Sequence, residues 1–265
     1  MGQPRALILR SLRSKRLEGR GRSREQHADT NHKGRIMSWR EFWNGSHSIY
    51  VNARHRALHF DLIGKDIVAF IPSRDAQVLD YGCGEAGSAE AVAARCGQLY
   101  LYDTAPSVRD KLRTAYGQAA NIHVLGDEQL DILAEHSLDM IVINSVIQYL
   151  SHGEFETALR LCHRKLKPTG KLIVGDVIPK ESDAIADTKA LLGFAWKGGF
   201  LLAAGWGLVA TFFSDYRKLR SSIGLTRYAP QDVITLMAAN GFEARRDRHN
   251  IGHNQNRMLF VGTPR

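Results

Sequence analysis

The stretch "VLDYGCGEAGS", residues 78–88, constrains this chain more than any other. A short apolar run closes on Asp80 and opens into G-x-G-x-x-G, the spacing of a strand that turns sharply into a helix within a βαβ unit. Gly82 and Gly84 let the backbone turn and come close to a ligand, and Gly87 lets the next helix pack tightly on the strand. The helix start offers free N–H groups. About twenty residues on, Asp103 ends the next apolar run, where a carboxylate can receive both hydroxyls of a ribose. By itself this pattern allows a nicotinamide-dependent oxidoreductase.

The rest of the chain repeats the unit. Apolar runs at 78–81, 99–102, 122–125, 140–143 and 171–174 are separated by helical stretches, the mark of a parallel sheet. Pro106 opens one helix, with Val108, Leu112 and Tyr116 inward. Ser151 and Glu154 form a capping box before another, and "KPTG" is expected to end it. A preceding helix is expected from Ile49 to Phe70, stopped by Pro72. After the fifth strand the alternation breaks into an insertion at 181–227, then a helix from Pro230 to Asn240. The last runs, 242–248 and 257–262, flank "HNIGHNQN", a loop too short for a crossover, so they should pair antiparallel.

The net charge of +9 lies mostly in residues 1–36, which hold ten Lys/Arg and three Asp/Glu. That segment has no periodic apolar stripe and reads as a disordered basic tail, a start-site extension without function rather than a nucleic-acid arm. It lacks the apolar core of a secretory signal, and Ala6 breaks the myristoylation pattern. Residues 37–75 read as an N-terminal helical lid and 76–265 as the main domain. Three cysteines without C-x-x-C spacing indicate neither a disulfide framework nor a zinc site, and suit a reducing cytoplasm.

Three features favour a cationic adenosyl ligand over a dinucleotide. Asp80 beside the loop would repel a pyrophosphate and attract an ammonium and a sulfonium. "LGDEQL" puts Asp127, with Glu128 beside it, at the tip of the third strand to meet an adenine amine. The closing hairpin is foreign to ordinary dinucleotide domains. From Ile49 onward the chain resembles a class I S-adenosylmethionine-dependent methyltransferase of the broad small-molecule type. The likeness rests on "VLDYGCGEAG", "LYLYD", "GDEQL", "LDMIVINSVIQYL" and "LKPTGKLIVGD", in that order. One departure is Ala86, where many relatives carry the third glycine.

The resemblance implies an α/β, Rossmann-like doubly wound sheet of seven strands, order 3-2-1-4-5-7-6, with strand 7 antiparallel. S-adenosyl-L-methionine would lie across the strand ends. Asp80 and the Gly82–Gly84 backbone would face its methionine part, Asp103 its ribose and Asp127 its adenine, with Asn144 and Ser145 lining the methionine side.

Methyl transfer from a sulfonium needs alignment and exclusion of water, with a base only if the acceptor must lose a proton. His55 and His59, one turn apart on the lid, are candidate bases, or else polar lid residues. Tyr149 and His152, after the fourth strand, are a second pair, and Asp176 at the end of the fifth strand a third candidate. His249 and His253 offer metal ligands in principle, but a satisfied turn is the simpler reading, and no metal is expected. No N-P-P-Y follows strand four, which argues against a nucleic-acid substrate.

The insertion is uncharged from Gly198 to Ser214. It reads either as a greasy cover over a lipophilic acceptor, or a peripheral membrane contact through 194–220, or as plain core. A non-catalytic module that keeps the cofactor fold is a further alternative, opposed by motifs that show no decay. The acceptor and the oligomeric state are not legible in the sequence.

Overall fold

The computed structural model describes Trp39, Tyr50 and residues 52–182, 184–201 and 225–265. The expected tail at 1–36, most of 37–51 and residues 202–224 of the insertion lie outside the described residues, and with them the reading of the tail and most of that of the greasy cover.

The order of elements is α1 (Ala53–Val68), β1 (Gln77–Tyr81), α2 (Ala89–Ala93), β2 (Gln98–Tyr102), α3 (Pro106–Tyr116), β3 (Ile122–Leu125), α4 (Asp127–Ile132) and β4 (Leu138–Asn144). A 3-10 turn (Ile147–Tyr149) then leads to α5 (His152–Lys165), β5 (Leu166–Val177), α6 (Ala184–Gly198), α7 (Pro230–Ala239), β6 (Phe242–Asp247) and β7 (Met258–Pro264). The seven strands form one sheet of order β3-β2-β1-β4-β5-β7-β6, as expected. The pairs among β1 to β5 are parallel, and β7 runs antiparallel between β5 and β6.

The central strands are buried on both faces, which is why they read as continuous apolar runs. Along β4, Leu138, Ile141 and Ile143 join a core with Phe155 and Met237 on one side. Met140 and Val142 join a second core with Val92 and Leu112 on the other. The α5 capping box forms as expected: Glu154 N donates to Ser151 Oγ, and Ser151 N donates to the Glu154 carboxylate. Such a cap contributes roughly 1 kcal/mol.

Two boundaries differ from the sequence reading. The first helix starts at Ala53, not Ile49, because the Asn52 side chain accepts from His55 N at 2.8 Å. "KPTG" does not cap α5. That helix ends at Lys165 with the chain already extended at Leu166, and Pro168 and Gly170 lie in the irregular start of β5, where its register with β4 shifts.

Candidate active site

The carboxyl ends of β1, β2, β4 and β5 open into one cavity of about 1220 Å³. Of the residues singled out by the sequence, Asp80, Gly82, Gly84, Asp103, Asp127, Asn144, Ser145, His59, Tyr149 and Asp176 line it. Gly87, Glu128, His55 and His152 do not.

The glycine loop is shaped as the spacing demands. Gly82 and Gly84 hold φ of +77° and +55°, and Ala86 is left-handed as well, with φ 43°. A Cβ on Gly84 would meet no atom within 4 Å, so this backbone faces open cavity. A Cβ on Gly87 would lie 2.5 Å from the Phe60 ring, so Gly87 serves the packing of α1 on the loop rather than the ligand space.

Asp103 is held from both sides. Gly84 N donates to its Oδ2 at 3.1 Å and Ala105 N to its Oδ1 at 2.8 Å. Burial raises its pKa, while these N–H groups and Arg109 oppose the rise. Asp80, at the end of β1, is pushed up to about 7, first by burial and then by the Asp103 charge. Burial and a neighbouring carboxylate both disfavour the ionised form of Asp80. Asp127 accepts from Tyr102 Oη at 2.8 Å and lies 3.5 Å from the Arg109 guanidinium, whose Nη1 also donates to the Asp103 carbonyl at 2.7 Å. Arg109 thus fixes two acids on neighbouring strand ends. Sequence reasoning missed it, although its place in the first turn of α3, six residues after Asp103, was a usable signal.

At the other end of the cavity, Ser145 Oγ donates to Asp176 Oδ2 at 2.7 Å, and Asp176 N donates to Asn250 Oδ1 at 2.9 Å. Ser145 and Asp176 have φ of 59° and 56°, a strained conformation for residues with a Cβ. Burial raises the Asp176 pKa against the pull of Arg257 and Ser145. Arg257 Nε lies 3.9 Å from Asp176, and its Nη2 pairs with Asp187 at 2.7 Å. Nothing in the sequence around Arg257 marks it, since the hairpin alone brings it here.

Helix α1 packs its histidines among aromatic rings. His55 stacks on Phe200 at 5.0 Å, and His59 lies 6.1 Å from His253, which stacks on Phe194 at 4.7 Å. Burial depresses His59 to about 3 and His253 to about 4, and neighbouring histidine charge adds to both shifts. His55 is lowered by burial. These rings are therefore neutral near pH 7. His152 is exposed and stacks on Tyr228. His249 lies 3.4 Å from Asp66. Among the described residues, no group of three or more His, Cys, Asp or Glu is placed to hold a metal ion.

Residues 79–174 match the family model described as Methyltransferase domain. No curated protein sequence matches the chain. A chain from the Haloferax volcanii complex of the Trm112 methyltransferase activator with its partner superposes with a TM-score of 0.53 at 15% identity, over 86% of this chain and 98% of its own. The magnesium protoporphyrin IX methyltransferase of Synechocystis, solved with bound S-adenosylmethionine, gives 0.51 at 15% identity, over 86% of this chain and 89% of its own. A protein from Pyrococcus horikoshii gives 0.53 at 14% identity, over 81% and 93%. At these identities the structural likeness is one of fold.

Proposed function

We propose, on the premise that this chain is by its fold and matched domain a class I S-adenosyl-L-methionine-dependent methyltransferase, that it moves a methyl group to a small, lipophilic acceptor. The observation that carries the reading is the size and division of the cavity. At about 1220 Å³ it exceeds the 300–1,000 Å³ of a usual small-molecule site, which argues for two ligands side by side. Its acidic end, from Asp80 past Asp103 to Asp127, suits a cationic nucleoside. The walls beyond Ser145 include Val146, Leu150, Ile178 and Leu225, which suit an apolar partner.

In this reading Asp80 and the Gly82–Gly84 backbone hold the methionine part, Asp103 the ribose and Asp127 the adenine, with Asn144 and Ser145 beside the donor group. The open space over Gly84 is the fit that supports it. Gly87 acts through packing, and exposed Glu128 has no cavity contact to support a role. The cofactor supplies the methyl group as an electrophile; the residues align the acceptor and keep water out. His59 and Tyr149 stand on the cavity wall as candidates for handling an acceptor proton, and His55 and His152 stand off it. The nicotinamide reading is not favoured, because the methyltransferase domain match and the antiparallel β7 both oppose it. Among the described residues no helix is long and apolar enough to cross a membrane. We assign the protein to the cytoplasm, with peripheral membrane contact through 194–220 as the variant of that reading.

The test is transfer of labelled methyl from S-adenosyl-L-methionine to a cell extract split into organic-soluble, water-soluble and macromolecular fractions. Label in the organic fraction is expected. Label confined to nucleic acid or protein would contradict the small lipophilic acceptor.

A further inference from the structure

Among the described residues, three buried polar atoms on residues that line the cavity have no hydrogen-bond partner: Asn144 Oδ1, Gln148 Oε1 and Arg257 Nη1. A buried polar group left unpaired costs about 1–3 kcal/mol, so such groups inside a cavity point to a ligand that satisfies them. Gln148 is only 5% exposed and is among the residues that line the cavity. Arg257 is anchored at Nη2 by Asp187, its Nε lies 3.9 Å from Asp176 without a hydrogen bond, and its buried Nη1 has no partner.

Resting on the placement of the donor end beside Ser145 given above, we propose that the acceptor is a hydroxyl compound, methylated on oxygen, with Asp176 taking its proton and Arg257 holding the oxygen. An O–H that ionises needs two neighbours, an acceptor for the proton and a donor for the oxygen that keeps the charge. Asp176 and Arg257 are such a pair, 3.9 Å apart on the cavity wall. An ammonium would gain from Asp176 but meet the guanidinium charge, and a neutral amine would leave Nη1 competing for the lone pair that must attack. Ser145 fixes the carboxylate, and Gln148 offers a second, neutral contact to the acceptor's polar group.

The step balances. As the acceptor oxygen bonds to the methyl carbon, the S–C bond breaks and its electrons remain on sulfur as a neutral thioether. The O–H proton passes to a carboxylate oxygen of Asp176 and from there to water. Among the described residues near the donor end, Asp176 combines a carboxyl group, a cavity-lining position and the left-handed backbone that functional sites retain.

The experiment is calorimetric binding to the full chain saturated with S-adenosylhomocysteine, using 2-naphthol and the matched cation 2-naphthylmethylammonium. Naphthol is expected to bind at least tenfold tighter. Arg257→Gln should erase that preference, and Asp176→Asn should weaken naphthol about three- to tenfold by replacing a charged acceptor with a neutral one. Gln148→Leu gives a smaller loss. S-adenosylhomocysteine should bind each variant within twofold of the parent, which shows that they are folded. Preference for the ammonium, absence of naphthol binding, or indifference to both charge variants overturns the hydroxyl assignment. Failure of the parent to bind S-adenosylhomocysteine would instead overturn the cofactor reading beneath it.

Discussion

Ser145 donates its hydroxyl hydrogen to Asp176 Oδ2 at 2.7 Å while both residues hold left-handed backbones at the ends of adjacent strands. A left-handed residue with a Cβ costs about 1–2 kcal/mol, least for Asp and Asn, whose side chains bond locally. Asp176→Asn should therefore keep the melting temperature within about 1 °C, because asparagine tolerates this backbone and still accepts from Ser145. Asp176→Ala should lower it by about 2–4 °C, equivalent to ~1 kcal/mol in a chain of this size. Thermal unfolding of the two variants decides the point, and equal melting temperatures would remove the strain argument.

Gly84 faces open space, so its replacement separates ligand effects from packing effects. Gly84→Ala should fold, with a backbone cost of about 1 kcal/mol for φ +55°, and bind S-adenosylhomocysteine at least tenfold more weakly because the new methyl occupies ligand space. Gly87→Ala should instead destabilise the fold, since its methyl would collide with the Phe60 ring. Parallel melting and calorimetry distinguish the two, and unchanged affinity in Gly84→Ala would refute the cradle.

The raised Asp80 gives a pH dependence with a definite sign. Its folded value is about 7 against an ordinary 3.8, so its neutral form persists across weakly acidic pH. Only the ionised form attracts a cation. Affinity for S-adenosyl-L-methionine should rise by up to about tenfold per pH unit below 7 and level off above it. Asp80→Asn should flatten that profile, approaching the parent at the acid end and binding more weakly above pH 7. A flat parent profile between pH 5.5 and 8.5 would contradict the assignment.

His59 and His253 give the fold a pH-dependent stability. Their folded values, about 3 and about 4, lie below the ordinary 6.5, so between these limits the unfolded chain binds more protons. Stability is therefore full above about pH 6.5 and falls as pH drops towards 4. His253→Phe, which keeps the stack on Phe194, should reduce that loss. Denaturant midpoints from pH 7 to pH 4.5 measure it, and parallel curves for parent and variant would exclude the pair as its cause.

How much of this was legible in the sequence depended on whether the signal was local. The strands of the parallel sheet announce themselves because both faces are buried, and the α5 cap because a Ser and a Glu three residues apart satisfy each other. Asp80, Asp103 and Asp127 follow directly from strand ends. Arg109 is bound to these acids yet carries no motif of its own, and nothing in "LYLYD" marks Tyr102 as the partner of Asp127. Arg257 reaches Asp176 only because β7 runs antiparallel beside β5, and Gln148 acquires meaning only through burial without a partner. The same non-locality explains the histidines. Spacing alone set His55 and His59 on one face, but only the fold turns His59 to the cavity and buries His55 against Phe200.

The most direct test of the central claim is calorimetric titration of the purified chain with S-adenosyl-L-methionine, S-adenosylhomocysteine, NADH and NADPH, repeated with Asp103→Ala. The two adenosyl ligands alone should bind, and the variant should weaken both at least tenfold, roughly the loss of a charge-assisted hydrogen bond. Binding of a nicotinamide nucleotide, or adenosyl binding untouched by the loss of Asp103, would contradict the account.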